Sequence, residues 1–136
     1  MRATALAIIA TIVVSTMPAS AESRPSWARV AHVTDGDTFR TTTGERVRIA
    51  GIDAPETQQG LARCARELAI GRSSTAFARA LLQGQDVDLR RVGTSYGRTV
   101  ANVSLDGQDV AQALIAGGAA RAWPRRTPKP DWCGSR

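Results

Sequence analysis

Residues 30–56 read VAHVTDGDTFRTTTGERVRIAGIDAPE, and the fold follows from this stretch. The Asp-Gly pair at 35–36 is a strong β-hairpin signal between two runs rich in valine, threonine and phenylalanine. A second turn is predicted at 43–45, and residues 46–52 alternate apolar and polar side chains as a third strand does. Pro55 then ends the ladder, because proline lacks the amide hydrogen that a sheet needs. The stretch predicts a three-stranded meander.

The chain that follows this meander adds two helices and two strands. Residues 65–82 carry apolar side chains near helical spacing, and Gly84 ends the run. Strands are predicted at 87–92 and 99–105, and a short helix at 110–116. Five strands, with a helix after the third and a short helix after the fifth, are typical of an OB-fold barrel. The sequence therefore predicts a mainly β domain of the α+β class.

The 136 residues leave room for one domain, flanked by segments of different character. Residues 1–21 combine a positive charge, an apolar run and small residues, which predicts a signal peptide cleaved after Ala21. An uncleaved membrane anchor is the alternative, although the apolar run is short for one. Residues 22–28 are predicted to form a flexible arm, 29–123 the domain, and 124–136 a proline-rich tail. The signal peptide predicts a secreted or periplasmic protein.

The balance of charges favours a polyanionic partner. Lysine and arginine number 18 against 12 acidic residues, so the formal net charge is +6, and +5 once the predicted leader removes one arginine. A small basic export product favours nucleic acid as its partner. Charge alone names no site, because a basic surface can also serve only solubility. The sequence implies no stable protein partner, and a monomer is expected.

Two cysteines, Cys64 and Cys133, lie outside the predicted leader. In an oxidising compartment, two cysteines in a small domain more often form a disulfide than remain thiols. A bridge that ties the proline-rich tail is therefore predicted, and two independent buried thiols are the alternative. A zinc site is disfavoured, because neither cysteine belongs to a C-x-x-C pair and His32 is the only histidine.

Acidic residues flank both the first hairpin and Pro55. Carboxylates without nearby histidine or cysteine suit a hard cation, calcium before magnesium where the geometry is irregular. The simpler interpretation is that Asp35 is only a turn residue and that Asp53 and Glu56 only end a strand. Spacing alone favours the simpler interpretation. The candidates are Asp35, Asp37, Asp53 and Glu56.

Two arginines favour a functional role for these carboxylates. Arg48 lies on the third strand, on the face opposite the apolar residues Val47 and Ile49, so it should not enter the core. Arg98 follows Tyr96 and Gly97 at the entry to the fifth strand. Two arginines beside a carboxylate-bound cation would neutralise the charge that a phosphodiester gains in its five-coordinate transition state. Either arginine alone is more often a solvated surface charge.

Three segments together resemble the signature of the staphylococcal nuclease (thermonuclease) family. A lone D-G-D-T or Y-G-R is a weak signal, but the three occur in family order and at family-like spacing. A weaker similarity lies at 109–120, and the resemblance covers about residues 30–123. The three segments are TDGDT at 34–38, VRIAGIDAPE at 47–56 and YGR at 96–98.

The resemblance implies a role for each matching acidic position. Asp37 and Asp53 match the family's calcium ligands, with the backbone carbonyl of Ala54 as a further ligand. The family's type protein has threonine at that position, a change that a carbonyl ligand tolerates. Glu56 matches the residue proposed as general base or as the group that positions the attacking water. Asp35 is expected to be the hairpin residue and not a ligand.

The resemblance also implies roles for the two arginines and for the aromatic residues. Arg48 and Arg98 match two arginines that bind phosphate and stabilise the transition state, and Tyr96 matches a tyrosine beside the nucleotide. Thr94 stands where many relatives carry an acidic residue, which is expected to loosen the loop that holds Arg98. Trp123 is expected either to stack on the substrate or, more simply, to be buried and close the barrel.

The resemblance implies a secreted, calcium-dependent nuclease that hydrolyses phosphodiester bonds of DNA and RNA and leaves 3′-phosphate ends. One alternative is a non-catalytic nucleic-acid-binding OB module, since some domains of this fold have lost the catalytic carboxylates. All of the family's catalytic positions are intact here, which argues against that module. A second alternative is a structural export domain whose charges only solvate it.

Overall fold

The computed structural model describes residues 25–134. The predicted signal peptide, residues 1–21, lies outside this range, as do residues 22–24 of the predicted arm and the last two residues of the tail. No helix within residues 25–134 is long and apolar enough to cross a membrane.

Eight strands and two helices make up the regular structure of residues 25–134. Both predicted helices, at 65–82 and 110–116, are confirmed with the predicted bounds. In chain order the elements are β1 Ser26–Asp35, β2 Thr38–Thr41, β3 Arg46–Ile49, β4 Ile52–Asp53, α1 Ala65–Leu82, β5 Asp86–Ser95, β6 Arg98–Leu105, β7 Gln108–Asp109, α2 Val110–Ala116 and β8 Arg121–Ala122.

Five of these strands form a closed barrel. They are hydrogen-bonded in the order β3-β2-β1-β5-β6, and a parallel pairing of β3 with β6 closes the ring. In that pairing Val47 lies opposite Thr99, and Ile49 lies opposite Ala101. Helix α1 follows the meander and α2 follows β6. This closed, mixed five-stranded barrel with two helices confirms the predicted OB-fold.

The start of β1 and the end of β5 differ from the sequence prediction, and β5 continues to Ser95, past its predicted end at residue 92. β1 begins at Ser26 and not at Arg29, because residues 26–28 pair with β5, where Trp27 lies opposite Asp88. Trp27 is 73% exposed, whereas Ser26 and Ala28 are half-buried, so these three residues show no clear strand pattern of their own. The predicted arm is therefore strand over this part.

The third predicted strand, residues 46–52, is broken in two. β3 ends at Ile49, and Gly51 takes a positive φ of 76° that turns the chain. β4 then leaves the barrel and pairs with β8, Ile52 opposite Ala122. The turn directs Asp53 away from the main ladder.

The buried face of α1 is built mainly from small residues. The large side chain of Phe77, which belongs to the apolar pattern that predicted the helix, is instead 40% exposed. A Cβ atom on Gly71 would lie 2.2 Å from the carbonyl oxygen of Glu56, so only glycine allows this approach of the helix to that loop. The buried residues of α1 are Glu67, Gly71, Ser74, Ala78 and Leu82.

A second close approach joins the first hairpin to the end of β4. A Cβ atom on Gly36 would lie 2.7 Å from the Cβ of Ala54. The hairpin therefore packs against β4, and the acidic residues on either side of the contact come together.

One hydrophobic core joins the barrel strands to β4 and both helices. Full burial of each large apolar side chain stabilises the fold by about 1.5–3 kcal/mol. The largest apolar members with almost no exposure are Phe39, Ile49, Ile52, Leu82, Leu89 and Leu114.

The predicted disulfide is confirmed. Cys64 and Cys133 are bridged, with their Cα atoms 6.1 Å apart and a sequence separation of 69. Cys64 is also the N-cap residue of α1, where its sulfur accepts a hydrogen bond from the amide of Glu67 at 3.3 Å. The bridge therefore joins the start of α1 to the proline-rich tail.

We predict that Cys64→Ser and Cys133→Ser lower the melting temperature equally, and that the double variant is no worse than either. Each change opens the same loop, whose closure is worth about 4 kcal/mol in the chain-entropy model. Thermal unfolding of the three variants measures this, with the chemically reduced parent as the control. Additive losses, or two labelled thiols in the native parent, would contradict it.

Candidate active site

One cavity of about 430 Å³ collects the residues predicted to bind metal or substrate. They come from the first hairpin, from β3, from the end of β4 and the loop after it, and from the turn between β5 and β6. The two cysteines lie outside it. The predicted residues that line the cavity are Asp37, Arg48, Asp53, Ala54, Glu56, Tyr96 and Arg98.

Asp37 links the first hairpin to β4. Its carboxylate is buried, and Oδ1 accepts a hydrogen bond from Thr38 Oγ1 at 2.8 Å. Oδ2 accepts the amide of Ala54 at 3.0 Å and forms an ion pair with Arg48 Nη1 at 2.8 Å. Burial of this charge is therefore compensated by two hydrogen bonds and one cation.

Arg48 is not the solvated surface charge of the simpler interpretation. Its Nη2 donates to the carbonyl of Ile52 at 3.1 Å and lies 3.8 Å from Asp53 Oδ1. Its guanidinium lies 5.6 Å from the ring centre of Trp123, within cation–π range. Trp123 is only partly buried and lines the cavity. The expectation that it is a buried residue closing the barrel is therefore wrong.

The proline-rich tail contributes two residues that sequence reasoning did not assign to the site. Asp53 Oδ2 accepts a hydrogen bond from the indole of Trp132 at 2.9 Å. Lys129 Nζ lies 3.6 Å from Asp53 Oδ1 and 3.4 Å from Glu56 Oε1. Lys129 is the one lysine of the chain. No motif marks either position, because their contacts depend on the path of the tail.

A buried carboxylate on α1 holds the loop that carries Glu56. Glu67 is 3% exposed, and its Oε1 accepts the amide of Glu56 at 3.3 Å. Its Oε2 accepts the amide of Arg63 at 2.8 Å. No sequence signal marks Glu67, since one acidic residue in a first helical turn is an ordinary feature.

The turn between β5 and β6 places Tyr96 and Arg98 at the cavity. Tyr96 and Gly97 both take positive φ, 49° and 70°, as a tight two-residue hairpin requires. The Tyr96 side chain is 92% exposed. Arg98 Nε donates to the carbonyl of Ser95 at 3.3 Å, and its two Nη groups make no hydrogen bond within residues 25–134. The β5–β6 ladder, which includes the pair of Thr94 with Thr99, continues up to the turn at Tyr96 and Gly97.

Four carboxylates line the cavity, together with four basic side chains. Burial, followed by the charge of Asp37, raises the pKa of Asp35 to about 7. Asp35 Oδ1 accepts the amide of Asp37 at 3.1 Å, so it is the hairpin residue that was expected, and it also lines the cavity. Burial also raises the pKa of Asp53, while the hydrogen bond from Trp132 opposes the rise. Ionised Asp35 is therefore unfavourable in the folded, metal-free protein.

We predict that Asp35→Asn raises the melting temperature of the chelator-treated protein at about pH 8 but not at about pH 4. A raised carboxyl pKa gives stability that is present below the unfolded pKa and lost as pH rises through about 7. The asparagine keeps an oxygen for the Asp37 amide and carries no charge. Thermal melts at both pH values test this, with the exposed Asp88→Asn as control. An equal shift at both values would contradict it.

Residues 46–131 match the sequence model of the family described as staphylococcal nuclease homologue. A protein of Escherichia coli O157:H7 named "uncharacterized endonuclease" is 32% identical over 107 residues, which are 75% of this chain and 64% of that protein. A protein of Haemophilus influenzae (strain ATCC 51907 / DSM 11121 / KW20 / Rd) with the same name is 28% identical over 124 residues, 88% of this chain and 65% of that protein.

The chain thus spans slightly less than two thirds of the length of these relatives. The family match covers more than half of the chain and contains β3, both helices and most of the residues that line the cavity. The chain therefore belongs to the staphylococcal nuclease homologue family.

Proposed function

We propose that this protein is a calcium-dependent nuclease that hydrolyses phosphodiester bonds of DNA and RNA and leaves 3′-phosphate ends. The observation that carries the proposal is the single cavity in which Arg48 and Arg98 meet the carboxylates of Asp37, Asp53 and Glu56. Family membership and two relatives named as endonucleases support the same reaction class.

The residues at the cavity fit a hard divalent cation. Within residues 25–134 no three acidic, histidine or cysteine side chains stand as a preformed metal cluster. The donors are nevertheless all oxygens, which calcium prefers. Asp53 Oδ1 makes no hydrogen bond within the described residues, since its cations lie at 3.6 and 3.8 Å. Burial, and then the nearby charge of Asp37, raises the pKa of Asp35, and a bound cation would favour its ionised form. Asp37, Asp53 and the carbonyl of Ala54 would hold the ion.

A bound calcium ion would supply a Lewis acid for a non-bridging phosphate oxygen. The chain's own residues would do the rest. Arg98 offers two Nη groups to phosphate oxygens, and Arg48, although paired with Asp37, keeps further donors for the charge that develops. The Glu56 carboxylate is partly exposed in the cavity, where it can accept a proton from the attacking water or orient that water. The exposed ring of Tyr96 offers a stacking face to a base.

Export of the protein is part of the proposal. It rests on the predicted leader and on the Cys64–Cys133 bridge, because disulfides persist mainly in oxidising compartments. A non-catalytic binding module is the competing function. DNA digestion in a substrate-containing gel, with calcium and then with chelator, separates the two. Cleavage that chelator abolishes supports the nuclease, and a mobility shift without cleavage supports the module.

We predict that Asp37→Asn lowers kcat/KM on DNA by at least about 100-fold and weakens calcium binding, while the fold is kept. Loss of one charged oxygen ligand leaves too little negative charge to hold the ion. Substitution of residues that only hydrogen-bond to the ligands of a metal already lowers metal affinity or activity by about 10–100-fold. The asparagine can still accept the amide of Ala54. Kinetics and calorimetric calcium titration measure this, with exposed Asp88→Asn as control. Parent-like cleavage would show that Asp37 is not a ligand.

We predict that Arg98→Lys lowers kcat by at least about tenfold with little change in melting temperature. The ammonium group keeps the charge but cannot make the bidentate contact to two phosphate oxygens. The loss should fall mainly on kcat if Arg98 acts in the transition state. Steady-state kinetics measure this, and Arg90→Lys, on the exposed side of β5, is the matched control. A kcat within about twofold of the parent would reduce Arg98 to a solvated charge.

A further inference from the structure

Trp132 is a buried tail residue whose one polar atom is directed at an active-site carboxylate. The side chain is 4% exposed, and its Nε1 donates to Asp53 Oδ2 at 2.9 Å. Asp53 is itself 2% exposed. The hydrogen bond thus joins two buried side chains that are 79 residues apart in sequence. A buried indole normally finds such a partner, but here the partner is a residue that matches a family calcium ligand.

Two neighbouring contacts fix the position of the indole. The guanidinium of Arg121 lies 4.3 Å from the ring centre, and Arg121 Nη1 also donates to the carbonyl of Asp131 at 2.7 Å. The residue after Trp132 is Cys133, which is bridged to Cys64 at the start of α1. The ring is therefore stacked on one face by a cation and anchored through the backbone by a covalent link.

This arrangement decides which oxygen of Asp53 is available. Trp132 occupies Oδ2, while the cations nearest to Oδ1, Lys129 and Arg48, lie at 3.6 and 3.8 Å, beyond hydrogen-bond distance. A carboxylate without the indole could rotate and present either oxygen. With the indole in place, one oxygen is held toward the tail and the other is left for a ligand.

We propose that Trp132 is a positioning residue of the active site, which fixes the Asp53 carboxylate through the Nε1–Oδ2 hydrogen bond so that Oδ1 is presented to the cation. The inference rests on the proposed function for the identity of that cation. Trp132 is not among the residues that line the cavity, and it acts on the site through Asp53. An indole that served only the packing of the tail would not change the affinity of the site for calcium.

The test replaces Trp132 in two ways in the oxidised, full-length protein. Trp132→Phe removes the donor and some volume, and site-specific incorporation of benzothienylalanine replaces only the N–H group by sulfur. We expect the calcium dissociation constant, measured by calorimetry, to rise about tenfold in both, which corresponds to about 1.4 kcal/mol. Trp27→Phe, at an exposed position on β1, should leave it unchanged. Parent-like calcium affinity in both Trp132 variants would overturn the proposal.

A second measurement needs no calcium. In the chelator-treated protein, the benzothienylalanine variant and Asp53→Ala should together lower the melting temperature by less than the sum of their separate effects, because both remove the same hydrogen bond. Additive effects would overturn the proposal. If the parent binds no calcium and cuts no DNA, the proposed function fails, and this coupling alone then decides whether Trp132 holds Asp53.

Discussion

The parallel pairing of β3 with β6 is the contact on which the architecture depends. It joins residues about fifty positions apart, Val47 with Thr99 and Ile49 with Ala101, and turns an open sheet into a ring. Closure removes the exposed edges that an open sheet would present. It also fixes the distance between the strand that carries Arg48 and the strand that begins at Arg98, so the two guanidinium groups share one cavity.

The cost of burying carboxylates at the cavity is only partly compensated by hydrogen bonds and cations of the chain. Asp37 is neutralised by Arg48 and two hydrogen bonds, whereas Asp35 and Asp53 keep raised pKa values because burial disfavours their charge. Buried carboxylates of this kind are costly for a fold of this size, and groups with perturbed pKa values are concentrated at functional sites. Two close approaches at Gly36 and Gly71 make the concentration of charge possible, because any larger residue would separate the segments.

The tail and helix α1 hold two acidic residues of the cavity in place. Glu67, near the start of α1, holds the amide of Glu56, and Trp132 holds the carboxylate of Asp53. The Cys64–Cys133 bridge joins the chain beside these two residues, so one covalent link steadies both supports. A small barrel has little core to restrain the tail and the loop that carries Glu56. A cross-link that restricts the conformations of the unfolded chain stabilises the fold instead.

The sequence by itself determined the meander, both helices, the barrel class and the candidate residues, since hairpin glycines, helical spacing and short motifs are local signals. It did not determine the broken third strand, the pairing of residues 26–28, or the roles of Lys129, Trp132 and Glu67. Phe77 belongs to the apolar pattern that predicted α1, yet the buried face of this helix is made mainly of small residues, and Gly71 allows the close approach to the loop of Glu56. Those features depend on which distant segments meet, and only the closed barrel and its tethered tail decide that.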